Sequence, residues 1–328
     1  MTTELKSFRI GPVTIGFPVV LAPLAGYSDL AYRLLCRRHG AVYCSTEMML
    51  DKLLMVDGKL RRRLVQLADE DHPIAGQLLG SDPAVMASAA RIVCEMGFDV
   101  VDLNLACPVR KALARKRGGY LMSQPDQAVE IIRAVLAAAD RPVTIKLRQK
   151  FCNADDDSAF WRIAEAAVKL GVAGLCVHAR SVEMKYLGRA DWAFIAAVKR
   201  RFGDTTIIGS GDVLRPADAL AMLEATGVDA VAVARGALGN PWFFRQVADL
   251  AAGREPYAPG LAEQREHLAW HFDHAHRTYG DRAAKIMRKF GIKYARMHPT
   301  PAKVRAAFVG VSRPQHWEAV LEEFYPTG

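Results

Sequence analysis

The sequence predicts an α/β fold: a (β/α)8 barrel, the TIM-barrel architecture, followed by a smaller all-helical C-terminal domain. Three observations predict it. Eight strand-like apolar runs alternate with helical patterns, as parallel strands joined by crossover helices do. Eight repeats within roughly 240 residues favour a closed barrel over an open sheet. No G-x-G-x-x-G follows the first run, which counts against a dinucleotide-binding open sheet. A chain of 328 residues leaves room for a second domain after a barrel of about 250 residues. The expected units are residues 1–253 and 254–328.

The elements follow in order. Phe8-Arg-Ile-Gly-Pro-Val-Thr-Ile-Gly-Phe17 alternates about Gly11-Pro12 and reads as a small hairpin. The first core strand is Pro18 to Ala22, ending in Pro23-Leu-Ala-Gly26. Ser28 or Asp29 caps the next helix, and Arg33, Arg37 and Arg38 lie towards its end, where the helix dipole favours cations. Strand two is Ala41 to Thr46, then Glu47; Asp51 to Glu70 reads as charged and helical. Strand three, Pro73 to Leu79, carries Gln77. Asp82-Pro83 opens a helix with proline at its first position, and Gly97 closes it. Strand four starts at Val100 as an apolar, β-branched run, typical of a strand buried on both faces, and leads into Cys107-Pro108. A loop rich in Lys and Arg follows. Strand five is Pro142 to Leu147, and a helix from Asp157 to Leu170 stops at Gly171. Strands six, seven and eight are Gly174 to His178, Thr205 to Ile208 and Asp229 to Ala234. After the connector Gly253-Arg-Glu-Pro-Tyr-Ala-Pro-Gly260 the strand pattern stops and a helical region begins.

Composition narrows the function. With 51% hydrophobic and 24% charged residues the chain reads as globular. A net charge of +9 and a pI near 9.3 point to a polyanionic partner. The six cysteines (36, 44, 94, 107, 152 and 176) form no CxxC pair and no zinc-type spacing, so free thiols in a reducing compartment are expected. No window is long enough for a membrane span, and the N-terminus lacks an apolar segment. The expectation is a cytoplasmic protein. His267 and His271 share a helical face, but with no acidic or Cys partner at fitting spacing no metal site is expected.

In a barrel, the loops after the strands open on one face, where active sites sit. Asn104 and Cys107 then lie at the mouth of strand four, although a cysteine there can also be simple packing. Gly209-Ser-Gly-Asp212 and Ala234-Arg-Gly-Ala-Leu-Gly239 follow strands seven and eight, the usual place for a barrel phosphate site. Lys146, in an otherwise apolar strand, needs an anion. Either Glu47 supplies it, or a flavin mononucleotide does, through a ring that becomes anionic on reduction.

These motifs carry a family resemblance. Leu21-Ala-Pro-Leu-Ala-Gly-Tyr-Ser-Asp29, Gln77, Asp102-Leu-Asn-Leu-Ala-Cys-Pro108 with Lys111 and Gly118-Gly-Tyr-Leu-Met122, Thr144-Ile-Lys-Leu-Arg148, Val177-His-Ala-Arg-Ser181, Gly209-Ser-Gly-Asp-Val213 and Ala234-Arg-Gly-Ala-Leu-Gly-Asn-Pro-Trp242 occur in order. The chain resembles the flavin-dependent tRNA-dihydrouridine synthases, and its C-terminal region the bacterial B-type branch. The resemblance departs at Ala106, Ala179 and Ala234, where the family usually has Gly, and at Ser210, where it usually has Asn.

The resemblance implies reduction of uridine in tRNA by tightly bound FMN, re-reduced by NADPH, with Cys107 as general acid. It assigns FMN to Pro23, Leu24, Ala25, Gln77, Lys146, His178, Ser210, Gly211, Asp212, Ala234, Arg235 and Gly236. The uracil falls to Asn104, Arg148 and Tyr186, although a loop tyrosine can also be just that. Two basic features suit RNA phosphates. Arg110, Lys111, Arg115, Lys116 and Arg117 follow Cys107. Between Arg282 and Arg305 there are eight Lys/Arg and no Asp/Glu, and Lys285, Arg288, Lys289, Lys293 and Arg296 share one helical face if Gly291 does not break the helix. A monomer on RNA is expected. The competing functions are dihydrouridine synthesis on ribosomal RNA, a flavin dehydrogenase of a free pyrimidine, and a non-catalytic RNA-binding barrel.

Overall fold

A computed structural model describes residues 4–326; the extreme ends of the two expected units, residues 1–3 and 327–328, lie outside the described residues. Phe8–Ile10 pairs antiparallel with Val13–Ile15 as the expected hairpin. Eight parallel strands follow: β1 (Val19–Leu21), β2 (Cys44–Ser45), β3 (Ile74–Leu79), β4 (Val100–Leu105), β5 (Val143–Arg148), β6 (Gly174–His178), β7 (Thr206–Ser210) and β8 (Ala230–Val233). Each pairs with the next, and β8 returns to pair with β1, so the sheet closes into a barrel.

The strands are apolar because both faces are covered. Their outer faces pack against crossover helices α1 (Leu30–Arg38), α2 (Pro83–Glu95), α3 (Pro125–Ala138), α4 (Ser158–Leu170), α5 (Trp192–Arg201), α6 (Pro216–Thr226) and α7 (Phe243–Ala251). Local chemistry sets the helix ends. Asp29 and Asp82 accept the N–H of Tyr32 and Val85 as N-caps. Gly171 stops α4 in a left-handed conformation, φ +95°.

Three readings change. Strand two contracts to Cys44–Ser45, although Leu21 N–H to Tyr43 and Thr46 N–H to Ala75 carry its pairing one residue further each way. The stretch Asp51 to Glu70 is not one helix. It splits into Asp51–Leu54 and Lys59–Leu64 around Gly58, whose backbone entropy disfavours a helix interior, and ends in a 3-10 turn at Asp69–Asp71. Arg33 and Arg37 do more than follow the helix dipole. They clasp the buried Asp71 at 2.6 and 3.1 Å and tie this excursion to α1.

The C-terminal region is helical: α8 (Leu261–Tyr279), α9 (Ala283–Tyr294), α10 (Pro301–Val309) and α11 (Pro314–Phe324). Gly291 does not break α9. It admits α10 instead, since a Cβ at Gly291 would lie 2.3 Å from the Phe308 ring. The region docks on the barrel through Phe290, whose ring meets Tyr27 and Tyr32, and through His271, 3.2 Å from Asp29. The loop after β8 approaches α9 so closely that a Cβ on Gly239 would fall 2.3 Å from the Lys293 backbone.

Gly171 and Gly239 both have positive φ, but only Gly239 lacks space for a side chain. Gly171→Ala is expected to cost about 1–2 kcal/mol for the left-handed backbone alone. Gly239→Ala should cost about 1–3 kcal/mol more, because α9 must shift. Urea-denaturation midpoints of the two variants, measured side by side, check this; equal midpoints would contradict the close docking.

Candidate active site

A cavity of about 400 Å³ opens at the C-terminal mouth of the barrel. Its floor is polar because the strand ends carry a linked set of side chains. Asp102 on β4 accepts from Thr144 at 2.7 Å and from Gln77 Nε2 at 2.6 Å. Gln77 Oε1 accepts from Asn104 Nδ2 at 2.8 Å. Asn104 Oδ1 then accepts the backbone N–H of Ala106 at 3.1 Å and of Cys107 at 2.9 Å. The network sets both amide orientations. Asn104 therefore acts chiefly by holding the loop that carries Cys107.

Cys107 is buried and lines the cavity, and burial pushes its thiol up from the ordinary value. Gly118 and Gly119 make this possible. A Cβ on Gly118 would fall 2.8 Å from Cys107 Cβ, and Gly119 N–H donates to the Cys107 carbonyl at 3.0 Å. Arg148, at the end of β5, binds the same loop through the Ala106 carbonyl at 3.0 Å. Its Nη1 donates to the carbonyls of Ser181 and Lys185, and Tyr186 lies with its ring centroid 5.9 Å from the guanidinium.

Cations surround the rest of the cavity. Lys146 makes no ion pair with Glu47, whose carboxylate instead accepts the Gly26 N–H at 2.7 Å. The nearest partner of the ammonium is Cys176 Sγ, at 3.4 Å. His178 Nδ1 is buried with no hydrogen-bond partner. Burial, reinforced by Arg148, Lys146 and Arg180, lowers His178 to about 2, so the imidazole is neutral at pH 7. Gly211 needs its positive φ of +121° and has no room for a Cβ, which would lie 2.8 Å from Ala190. Asp212 turns its carboxylate onto Arg180, at 2.5 Å, and onto the Ala190 N–H. What this loop offers an anion is therefore its backbone and the neighbouring Arg235.

The structure gathers most of the residues named from sequence. Pro23, Leu24, Ala25, Gln77, Asn104, Cys107, Lys146, Arg148, His178, Tyr186, Ser210, Gly211, Asp212, Ala234, Arg235 and Lys293 all line the cavity. Gly236 does not; it packs beneath, and its carbonyl accepts from Arg296. Lys285 and Arg288 lie on the exposed face of α9. Lys289 turns inward over the Tyr27 ring at 4.9 Å, near Glu47. Arg117 also departs from the expectation of a free phosphate contact: it is mostly buried, 3.7 Å from Asp51. Sequence reasoning missed Tyr27, Met48 and Leu238 in the lining, and gave no role to Arg180. Its sequence signals were an arginine just beyond an apolar strand and its place in Val177-His-Ala-Arg-Ser181, part of the family resemblance.

One group among the described residues could hold a metal: His39, Glu263 and His267. The sequence signal was Glu263, one helical turn before His267. These groups are already mutually engaged. His39 Nε2 lies 2.6 Å from His267 Nε2, and Glu263 accepts from Trp242 and Tyr257 at 2.6 and 2.5 Å. Two imidazoles on one zinc, each at about 2.0–2.1 Å from the ion, stand further apart than that. The cluster pins α8 to the barrel.

The donor set fits a flavin mononucleotide. Lys146 has no carboxylate partner within 4.0 Å, and His178 has an unpaired buried nitrogen. The glycine loops after β7 and β8 lie where a phosphate would be bound.

Comparison with known proteins agrees with this geometry. The family model for dihydrouridine synthase (Dus) matches residues 20–326. The chain is 35% identical over 320 residues to tRNA-dihydrouridine synthase B of Xanthomonas campestris, covering 97% of this chain and 95% of that protein. It is 35% identical to tRNA-dihydrouridine synthase B of Pseudomonas aeruginosa, covering 92% and 90%. Among solved structures, a 2-naphthoyl-CoA reductase is similar in fold, with TM-score 0.62 at 13% identity over 97% of this chain and 69% of that one. No helix among the described residues is long and apolar enough to cross a membrane.

The raised Cys107 thiol gives a test that needs no substrate. Alkylation of Cys107 by iodoacetamide, followed by mass spectrometry, should stay slower than that of a cysteine peptide at pH 8. It should climb only at a higher pH than the peptide's, since burial raises this thiol above a free cysteine's value. A midpoint below that of the peptide would mean a thiolate nucleophile.

Proposed function

The chain belongs to the dihydrouridine synthase family, and we propose that it reduces the C5=C6 bond of specific uridines in tRNA to 5,6-dihydrouridine, with FMN in the barrel cavity and NADPH as transient reductant. It is a flavin-dependent oxidoreductase. The observation that carries the detailed reading is a buried, proton-retaining thiol, Cys107, on the wall of a cavity whose other charged groups are mainly cations.

Reduced FMN, when bound, supplies hydride to C6 of the uracil ring. The chain's own residues do the rest. Cys107 delivers the proton to C5 from the other side of the double bond, and its raised pKa keeps that proton in place near neutral pH. Asn104 and Arg148 hold the loop that aims the thiol. Lys146 stabilises negative charge over the cavity floor, and neutral His178 offers a hydrogen bond without adding charge. Arg148 Nη2 makes no hydrogen bond among the described residues, which leaves it for the uracil edge beside Tyr186. Lys285, Arg288 and Lys293 on α9 bind phosphates. The base must leave the RNA fold to reach the cavity.

Single turnover tests this. Anaerobic, reduced, FMN-loaded protein is mixed with unmodified tRNA, and flavin reoxidation is followed while dihydrouridine is mapped by mass spectrometry. Wild type should reoxidise with one or more uridines gaining two hydrogens. Cys107→Ala should slow this step by about 10²–10⁴-fold with Kd for tRNA unchanged. Turnover only with ribosomal RNA or a free pyrimidine would keep the flavin barrel and replace the substrate. No reoxidation with any of them would leave a non-catalytic barrel.

The same assay has a predicted pH dependence. The acid must be protonated, so the rate should hold as pH rises and fall only above the raised thiol pKa. A fall beginning near pH 7 would exclude Cys107 as the acid.

A further inference from the structure

The loop after β6, residues 181–190, ends in an exposed apolar tip. Tyr186 and Leu187 are both exposed, Leu187 to 76%. A lone exposed leucine is ordinary on a protein surface. This one is rigidly mounted. Two buried guanidiniums hold four carbonyls of its loop from below. Arg148 Nη1 donates to Ser181 and Lys185, each at 2.8 Å. Arg180 donates to Leu187 at 3.0 Å and to Gly188 at 2.7 Å. Lys185 is held at φ +53°, a left-handed conformation unfavourable for a side-chain-bearing residue. Arg180 is itself 1% exposed and is paired with Asp212.

The mounting also connects the tip to the thiol. Arg148 holds the tip loop with Nη1 and the Ala106 carbonyl, next to Cys107, with Nε at 3.0 Å. One guanidinium therefore fixes the distance between the apolar tip and the buried acid. The surroundings are cationic: Arg110, Lys111, Arg115 and Lys116 are exposed beyond Cys107, and Arg235 stacks 4.9 Å from the Tyr186 ring. A stiff apolar point in a cationic field, at the mouth of a cavity that must receive an extruded base, matches folded RNA.

We propose that Leu187 is a wedge that enters the RNA stack where the target uridine has left it and keeps the flanking bases apart. The inference rests on the uridine-reducing reading above. An aliphatic wedge reads no hydrogen-bond pattern, so it acts whatever the flanking bases are. Because Arg148 links the tip to the Cys107 loop, seating the wedge also registers the extruded ring against the acid.

The test compares two RNAs carrying the mapped uridine: folded tRNA, and a short unstructured oligonucleotide of the same local sequence. FMN-loaded wild type, Leu187→Ala, Leu187→Ser and Leu187→Met are assayed on both. The ratio of kcat/KM on tRNA to that on the oligonucleotide should fall about 10–100-fold in Leu187→Ala and Leu187→Ser, and recover in Leu187→Met. A 2-aminopurine beside the uridine in tRNA should brighten on binding wild type and far less on binding Leu187→Ala. Equal losses on both RNAs would make Leu187 part of the cavity wall and overturn the wedge. No loss on either would overturn it too, and loss of self-association by light scattering instead would make the tip a protein contact. If wild type turns over neither RNA, the reading of the reaction fails first and the wedge falls with it.

Discussion

The site depends on one polar chain: Thr144, Asp102, Gln77, Asn104 and the backbone amide of Cys107. It spans β5, β4 and β3, and it lies where a barrel is least able to leave polar atoms unpaired. Burial raises Asp102, while hydrogen bonds from Gln77 and Thr144 oppose the shift. Because each amide has its orientation set by its neighbour, the loop after β4 leaves the barrel in one geometry. Removing any member would leave buried donors or acceptors unsatisfied, a penalty of about 1–3 kcal/mol for each. A thiol on a free loop would sample solvent and titrate like any other cysteine. This one stays largely buried, with its pKa raised, because its backbone is held from the barrel floor.

Charge at the mouth follows from the same economy of partners. Four cationic side chains line the cavity, Lys146, Arg148, Arg235 and Lys293, while nearby carboxylates are engaged: Asp212 with Arg180 and, at 3.7 Å, Arg235, and Glu47 with the Gly26 amide. Surplus positive charge is costly when nothing answers it, which favours an anion in the cavity. His178 shows the strength of that field. Burial alone disfavours the imidazolium, and Arg148, Lys146 and Arg180 add repulsion. Lys289 shows a milder version: burial lowers it, and Glu47 and Asp29 partly restore it. The C-terminal helices are part of this arrangement, since Lys293 on α9 reaches the cavity that the barrel forms.

What the sequence made legible was whatever a local pattern encodes. Eight apolar runs, the proline and aspartate helix starts and the glycine stops gave the barrel nearly strand for strand. The contracted second strand and the broken Asp51–Glu70 segment escaped: the first keeps only its Leu21 and Ala75 pairing at its ends, and the second breaks at Gly58, with Asp71 beyond it held by Arg33 and Arg37. The site was read in the same uneven way. Residues at strand ends were found from their place in the repeat. Roles that depend on who meets whom were not. Asn104 lines the cavity as expected and also holds the Cys107 loop; Arg180 went unassigned and holds another; Arg117 was grouped with free cations and is mostly buried beside Asp51. Gly291 was ambiguous in sequence because a helix-breaking glycine and one that admits a neighbouring helix look alike until Phe308 is placed against it.

The departures from the family pattern can be weighed by the same rule. At Ala106, Ala179 and Ala234 a methyl replaces hydrogen. None of the three has a positive φ, so the backbone does not require glycine there. The interactions these residues make run through the main chain: Ala106 through its N–H to Asn104 and its carbonyl to Arg148, Ala179 through its carbonyl to the Asp191 N–H, Ala234 through its carbonyl to the Ala237 N–H. A methyl leaves all of these intact, and at Ala106 and Ala234 it narrows the cavity locally. Ser210 is different in kind. It places a hydroxyl in the wall where the family usually has an amide. The adjacent Gly211 and Asp212 both have positive φ, at +121° and +57°, and line the cavity beside Ser210.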